Sequence, residues 1–242
     1  MKQKFLLLTA LAAIVFAKTN AQTTDPVVTT TTTSTANTSG FSWGIRAGAD
    51  LNNINGKYSN GDRMKNSLQP GFHVGLNAEL PIAPDFYLQP GVLFRARGSK
   101  LDNDAMNQTY TTEIHSTAIE IPVNFVYKPL LGTGHLIAGL GPYVDFGIGG
   151  QVKYSGTGAP ANRDIKYQKT VSLSESANTS NAFYRGFGAG GNLLFGYEFA
   201  NRLSFQLNAQ LGLTDINPSY EANPDMKKST YTGFGLSAGY RF

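Results

Sequence analysis

The segment that decides the fold reads Leu203-Ser204-Phe205-Gln206-Leu207-Asn208-Ala209-Gln210-Leu211-Gly212-Leu213. Apolar residues occupy its odd positions, and polar residues or glycine occupy its even positions. Because successive side chains of a β-strand point to opposite faces, this period of two predicts a strand with one apolar and one polar face. Its eleven residues suit a tilted strand that crosses a membrane, whereas strands of soluble proteins are usually about half as long.

The same alternation recurs along the chain and predicts eight strands in all. The predicted strands are 41–51, 71–80, 86–97, 117–128, 136–149, 186–199, 203–213 and 232–242. The long connections between them are 52–70, 98–116, 150–185 and 214–231, and the short ones are 81–85, 129–135 and 200–202. Alternating long and short connections are typical of outer-membrane barrels, whose outer loops are long and whose periplasmic turns are short. We therefore predict an all-β fold, an eight-stranded antiparallel transmembrane β-barrel (an up-and-down meander) in the outer membrane, with both termini in the periplasm.

The two faces of the predicted strands differ in charge and in glycine content. No Asp, Glu, Lys or Arg falls on the apolar face, and Gly191 is its only glycine. In a narrow closed barrel the polar face lines the lumen, where glycine leaves room for large neighbours. A soluble, lipocalin-like barrel is the alternative. It would place the apolar face inside, and it explains neither the glycines of the polar face nor the many aromatic residues of the apolar one.

Aromatic residues cluster at the ends of the apolar faces, at the depth where such rings meet the membrane interface. The predicted periplasmic girdle is Phe41, Trp43, Phe86, Tyr127, Tyr197, Phe199, Phe205, Tyr240 and Phe242. The predicted outer girdle is Phe72, Phe94, Phe146, Phe187 and Phe234. Tyr240 and Phe242 also resemble the carboxy-terminal signal that the barrel-assembly machinery reads, although Ser237 stands where the usual signal has glycine. Outer-membrane lipid and this machinery are therefore expected partners.

Ten charged residues fall on the polar face. They are Arg46, Asp50, Glu79, Arg95, Arg97, Glu120, Lys128, Asp145, Glu198 and Arg241. Five are positive and five are negative, which predicts ion pairs in a filled lumen rather than a selective pore lined by charges of one sign. We expect Glu120 to meet Arg95 or Arg97 across adjacent strands. A second cluster is expected near the periplasmic end, from Glu79, Lys128, Glu198 and Arg241.

The first 40 residues differ in composition from the predicted barrel, which covers 41–242. Residues 1–21 predict a cleavable signal peptide, because two lysines precede an apolar run that is too short to span a membrane as a helix. Residues 22–40 are rich in Thr and Ser and predict a disordered tether. An anchor helix and a glycosylated stalk are the respective alternatives.

Composition excludes several classes of function. The chain has 0 cysteines, which rules out disulfide scaffolds, Cys-ligated zinc and thiol catalysis. Its 20 basic and 16 acidic residues give no case for nucleic-acid binding, since Lys2, Lys4 and Lys18 lie in the predicted leader.

The histidines do not suggest a catalytic site. A lipid-modifying barrel enzyme would need a histidine, a serine and a carboxylate together near the lipid. His73 falls on the polar face, His115 at a loop edge and His135 in a short turn, and no two are spaced for a metal on one strand. We expect no enzyme activity, no cofactor and no metal.

Several stretches resemble the Bacteroidetes outer-membrane β-barrel family that includes PorT-like proteins. The most specific, Ile119-Glu120-Ile121-Pro122-Val123, is similar to that family's Leu-Glu-Ile-Pro strand, and Gly139-Leu140-Gly141-Pro142-Tyr143 matches the strand after it. Ala118 and Gly91 depart from a common tyrosine and a common glutamate. The resemblance covers the whole predicted barrel and implies a small outer-membrane barrel. Members include a component linked to type IX secretion, and most have no assigned activity.

The outer loops are the largest surface left for a ligand. The longest carries residue types that suit recognition, namely Lys153, Tyr154, Arg163, Asp164, Lys166, Tyr167 and Lys169. We expect a non-enzymatic scaffold or surface-binding protein whose loops meet a protein or glycan. A solvated loop, a small porin-like channel, a PorT-like secretion component and a lipid-modifying enzyme are the alternatives.

Overall fold

The computed structural model describes residues 40–57, 63–64, 66–101, 109–176, 180–221 and 228–242. The predicted signal peptide and nearly all of the predicted tether lie outside the described residues. The elements in chain order are β1 (Ser42–Gly56), β2 (Gln69–Ala83), β3 (Phe86–Leu101), β4 (Tyr110–Tyr127), β5 (Leu130–Leu131), β6 (Gly134–Gly156), β7 (Arg163–Tyr167), β8 (Thr170–Val171), α1 (Leu173–Ser176), β9 (Asn181–Tyr184), β10 (Phe187–Glu198), β11 (Leu203–Gly212), β12 (Ser219–Tyr220) and β13 (Ser229–Arg241).

Eight strands pair in a closed antiparallel ring. Their order is β1–β2–β3–β4–β6–β10–β11–β13, and β13 pairs back onto β1. The predicted eight-stranded, up-and-down barrel is therefore confirmed. Among the described residues, no helix is long and apolar enough to cross a membrane.

The apolar face of each barrel strand points outward. On β11, Leu207 is 60% exposed whereas its neighbour Gln206 is 4% exposed. A soluble barrel would bury the leucine, because apolar side chains gain free energy by leaving water. The outward apolar band therefore has the orientation that membrane lipid requires.

The two ends of the barrel differ, and we call them the turn end and the loop end. The turn end holds the three short connections, the start of β1 and the end of β13. Trp43 and Phe242 stack there with ring centroids 4.1 Å apart, and the Phe242 amide donates to the Trp43 carbonyl at 2.9 Å. At the loop end, Phe146 and Phe187 meet edge to face at 5.6 Å. Aromatic contacts of the two predicted girdles thus lie at opposite ends of the apolar band.

Several strands run farther toward the loop end than the sequence predicted. β4 begins at Tyr110 rather than 117, and β6 continues to Gly156 rather than ending at 149. The alternation persists there, since Ile114 is buried between the outward residues Glu113 and His115. The outward residues have become polar because this part of the wall extends past the apolar band. The predicted boundaries marked the edge of the apolar band, not the end of strand pairing.

The described parts of the third and fourth long connections fold over the barrel mouth, and we call residues 157–176, 180–186 and 213–221 the lid. Within the lid, β9 lies parallel to β7, and β8 lies parallel to β12. Its residues Ile165 and Ile216 are buried in one apolar cluster with Ile54, Ile114 and Val152 of the barrel wall. The described part of the third connection is therefore largely folded and has strands of its own.

The single helical turn of the lid is fixed by a capping box. The Ser172 amide donates to Glu175 Oε2 at 3.0 Å, and the Glu175 amide donates to Ser172 Oγ at 3.3 Å. The bond from the Ser172 amide lowers the pKa of the Glu175 carboxyl, and bonds from the Gln168 and Ser172 side chains act in the same direction. The carboxylate form therefore holds the turn closed at neutral pH.

Candidate functional site

The middle of the lumen holds a charged layer centred on Arg95. Its guanidinium donates to Glu120 through Nε at 2.8 Å and Nη2 at 3.3 Å, and to Asp50 Oδ2 through Nη1 at 2.8 Å. His73 Nδ1 lies 2.8 Å from the same Asp50 oxygen. Arg46 supplies a second positive charge, with Nη1 3.5 Å from Gln206 Oε1. The layer thus sets Arg46 and Arg95 against two carboxylates.

A second layer lies toward the loop end and consists of Arg97 and Asp145. Their pairing is bidentate, with Nη2–Oδ1 at 2.8 Å and Nη1–Oδ2 at 3.2 Å. The guanidinium also stacks over the Tyr231 ring, 4.1 Å from its centroid. The sequence offered Arg95 or Arg97 as the partner of Glu120. The structure pairs Glu120 with Arg95, because Arg97 reaches across to Asp145 on β6.

The third layer closes the turn end. Lys128 Nζ lies 3.0 Å from Glu79 Oε2 and 2.8 Å from Glu198 Oε2. Arg241 Nη2 lies 2.6 Å from Glu79 Oε1, and its Nε lies 3.5 Å from Glu198 Oε2. The four side chains that the sequence grouped near this end therefore meet as alternating cations and anions.

Apolar side chains that the sequence reasoning missed also fill part of the lumen. Leu93, Val126, Ile137 and Leu194 lie on the polar face of their strands and are almost fully buried. Parity alone assigns that face to polar residues, but a lumen of eight strands must be filled by side chains of either kind. Among the voids inside the barrel and under the lid, two have volumes of about 20 and 10 Å³, and each is large enough for about one water molecule.

Each layer carries equal positive and negative charge. Burying an ion costs several kcal/mol unless a partner of opposite charge compensates it, so three neutral layers are the arrangement that a filled lumen tolerates. A selective pore instead lines its path with charges of one sign. The geometry therefore favours a plug over a conducting path through the described residues.

Comparison with known proteins identifies the family. The family described as Outer membrane protein beta-barrel domain matches residues 20–217. This chain belongs to it. The outer membrane is accordingly the location of this outer-membrane barrel, and membrane lipid contacts its apolar band. The finer resemblance to Bacteroidetes PorT-like proteins stays a prediction, and no curated protein matches the chain.

Solved structures of other small outer-membrane proteins are similar to this barrel at low sequence identity. The attachment invasion locus protein Ail of Yersinia pestis has 12% identity and a TM-score of 0.43, over 84% of this chain and 99% of that one. OprG of Pseudomonas aeruginosa has 13% identity and a TM-score of 0.40, over 84% and 96%. AlkL has 10% identity and a TM-score of 0.32, over 92% and 97%.

Five of the seven recognition residues expected on the third connection divide into two groups. Lys153, Lys166 and Lys169 are exposed, whereas Tyr154 and Tyr167 pack against the apolar cluster under the lid. The Tyr167 hydroxyl donates to the Gly149 carbonyl at 2.9 Å, and burial raises the pKa of that hydroxyl above its usual value. The tyrosines thus hold the lid to the barrel, and the lysines remain available to a ligand.

The other two of the seven expected residues, Arg163 and Asp164, lie on the lid strand β7. Asp164 Oδ1 accepts from Gln151 Nε2 at 3.3 Å. Arg163 lies over the Tyr154 ring, with its Cζ 5.6 Å from the centroid. Both therefore help to hold β7 against the neighbouring wall strand β6.

The histidines lie far apart in the barrel. His73 is buried in the middle layer, His115 lies outward with Nε2 3.5 Å from Glu113 Oε2, and His135 is the second residue of β6 rather than part of a turn. Within the described ranges, no group of three or more His, Cys, Asp or Glu residues could hold a metal ion.

Proposed function

We propose that this outer-membrane barrel is a closed, non-enzymatic anchor that carries a binding surface on the outside of the cell. The observation that carries the proposal is the lumen, which is filled by three electrically neutral layers of charged side chains and by buried apolar residues. A path through it would require several ion pairs to open at once. The folded lid and the raised wall of β3, β4 and β6 remain as the surface on which a protein or glycan could bind.

The proposed orientation follows from the two ends. The short connections, the start of β1 and the end of β13 occupy the turn end, which we assign to the periplasm, and the lid then lies at the cell surface. Tyr240 and Phe242 lie on the outside of the barrel beside the pairing of β1 with β13 that closes it, with ring centroids 5.1 Å apart. That outward position supports the proposal that the barrel-assembly machinery recognises these two residues.

The first test is electrical. Purified full-length protein in planar bilayers is expected to give no steady conductance steps, because the charged layers fill the lumen. A variant with residues 157–176 replaced by a short Gly-Ser turn is the matched control. It should be equally silent, since the layers lie below the lid. Stable steps in the full-length protein would support the porin-like alternative, and steps only in the shortened variant would make the lid a gate.

The second test concerns the binding surface. Replacing the exposed lid residues Lys166 and Lys169 with serine is expected to remove partners that are cross-linked to the protein on intact cells. Replacing Lys57 and Lys228, which are exposed outside both the lid and the raised wall, removes the same charge and should leave those partners unchanged. Equal loss in both variants would indicate non-specific charge attraction instead. Secretion cargo trapped in a deletion strain, with no change in surface partners, would favour the PorT-like role.

A further inference from the structure

A small chamber lies between the lid and the Arg97–Asp145 layer, at the loop end of the lumen. It encloses about 20 Å³, and barrel and lid both contribute to its lining. The residues that matter for its chemistry are Arg97, Ser116, Tyr143, Asp145, Arg185 and Tyr231. Arg97 belongs to β3, whereas Arg185 follows the lid strand β9. The barrel and the lid thus each contribute one guanidinium group to the lining.

Positive charge exceeds negative charge in this lining. Both oxygens of Asp145 already accept hydrogen bonds from Arg97, so this carboxylate does not also neutralise the charge of Arg185. Asp215, an acid of the lid that does not line the chamber, uses Oδ1 to accept from the amides of Asn217 at 3.1 Å and Ser229 at 2.9 Å. Arg185 itself donates through Nη2 to the neutral Ser219 hydroxyl at 3.4 Å. One guanidinium charge at the chamber is thus left without an anionic partner among its lining residues.

Two hydrogen-bond donors of the lining also lack an acceptor. The Nε–H groups of Arg97 and Arg185 are both buried without an acceptor from the protein, and Arg97 as a whole is 6% exposed. The hydroxyls of Ser116 and Tyr231 lie 3.1 Å apart and bond to each other. Buried donors are costly when they lack a partner, and a net positive, donor-rich cavity attracts an anion.

Size limits which anion fits. A water molecule needs at least about 10–15 Å³ of such space, so this chamber has room for a species of about that size and not for a carboxylate or phosphate compound. We propose that the chamber binds a halide ion, held between Arg97 of the barrel and Arg185 of the lid. The ion balances the spare guanidinium charge and fastens the lid, a role that does not depend on the proposed binding function.

The test uses the full-length protein in detergent micelles and measures broadening of the chloride resonance. Wild-type protein is expected to broaden the line in a saturable way, and bromide is expected to compete. Arg185→Gln should weaken binding by about tenfold or more, which is the scale of losing one charged hydrogen bond. Arg185→Lys, which keeps the charge but not the Nε–H, should fall between the two.

The matched control is Lys57→Gln. Lys57 is an exposed cation after the loop end of β1 that does not line the chamber, so its loss should leave the halide effect unchanged. Crystals of wild-type protein soaked in bromide give an independent readout, an anomalous peak expected beside Arg97 and Arg185 whether or not the variants fold. The absence of both saturable broadening and that peak would mean that the chamber takes water only. Equal broadening by wild type and Arg185→Gln would also overturn the proposal.

Discussion

Replacing Glu120 with alanine is expected to lower the free energy of unfolding of the barrel by about 3–5 kcal/mol. Glu120 is 1% exposed and accepts two bonds from Arg95 and one from Gln210 at 2.8 Å. Without it, the middle layer contains two guanidinium groups and one carboxylate. The cost arises mainly from the buried positive charge left uncompensated, and less from the lost contacts themselves.

Urea unfolding of the barrel in lipid vesicles measures this effect, and the single tryptophan, Trp43 at the turn end, provides the fluorescence signal. Glu113→Ala is the matched control on the same strand. Its side chain is 31% exposed, with Lys100 Nζ at 3.8 Å and His115 Nε2 at 3.5 Å, so its loss should cost less than about 1 kcal/mol. Similar losses for both variants would contradict the neutral-layer interpretation.

A double variant separates charge from packing. Glu120→Ala combined with Arg95→Met leaves Arg46 and Asp50 as one cation and one anion in the middle layer. Because the layer is neutral again, we expect the double variant to be more stable than Glu120→Ala alone, even though it has lost more contacts. If the two losses simply add, the cost comes from packing and not from unbalanced charge.

The ring of strands could be predicted from the sequence because lipid enforces a strict alternation. Every outward position between the girdles must be apolar, and segments such as 203–213 show that pattern without exception. The pairing of Arg95 with Glu120 was also within reach, since Leu93 is in register with Glu120 across β3 and β4 and Arg95 is the next residue on that face. Neighbouring strands thus reveal their contacts through sequence position.

Contacts across the lumen could not be predicted in this way. Arg97 and Asp145 lie on β3 and β6, which are separated by β4, and their relative height depends on the tilt and stagger of the barrel. The lid could not be predicted from the sequence either, because Ile165 and Ile216 are isolated apolar residues in polar connections. Their shared cluster exists only once the barrel has brought the third and fourth connections together.

The last prediction concerns two adjacent glycines on β10 that face opposite sides of the wall. A Cβ atom on Gly190 would lie 2.6 Å from two ring atoms of Tyr143 inside the lumen and would also contact the Leu211 carbonyl oxygen. A Cβ atom on Gly191 would point toward lipid, with its nearest neighbour, the Gly141 carbonyl oxygen, 4.0 Å away. The same substitution should therefore have opposite consequences one residue apart.

Gly190→Ala is expected to destabilise the barrel by about 2–3 kcal/mol, the upper part of the usual cost of overpacking, because the carbonyl it meets belongs to a paired strand and cannot rotate away. Gly191→Ala is expected to be neutral or to stabilise by about 0.5 kcal/mol, since alanine restricts the unfolded chain and meets no obstacle here. Urea midpoints in lipid vesicles, together with heat-dependent gel migration as a check of folding, compare the two variants directly. A barrel whose lumen were loosely filled would accept alanine equally well at both positions, because Tyr143 and the strand around Leu211 could then shift. Unequal outcomes in the expected direction would mean that glycine marks the lumen face of this chain because large side chains already fill the space opposite it.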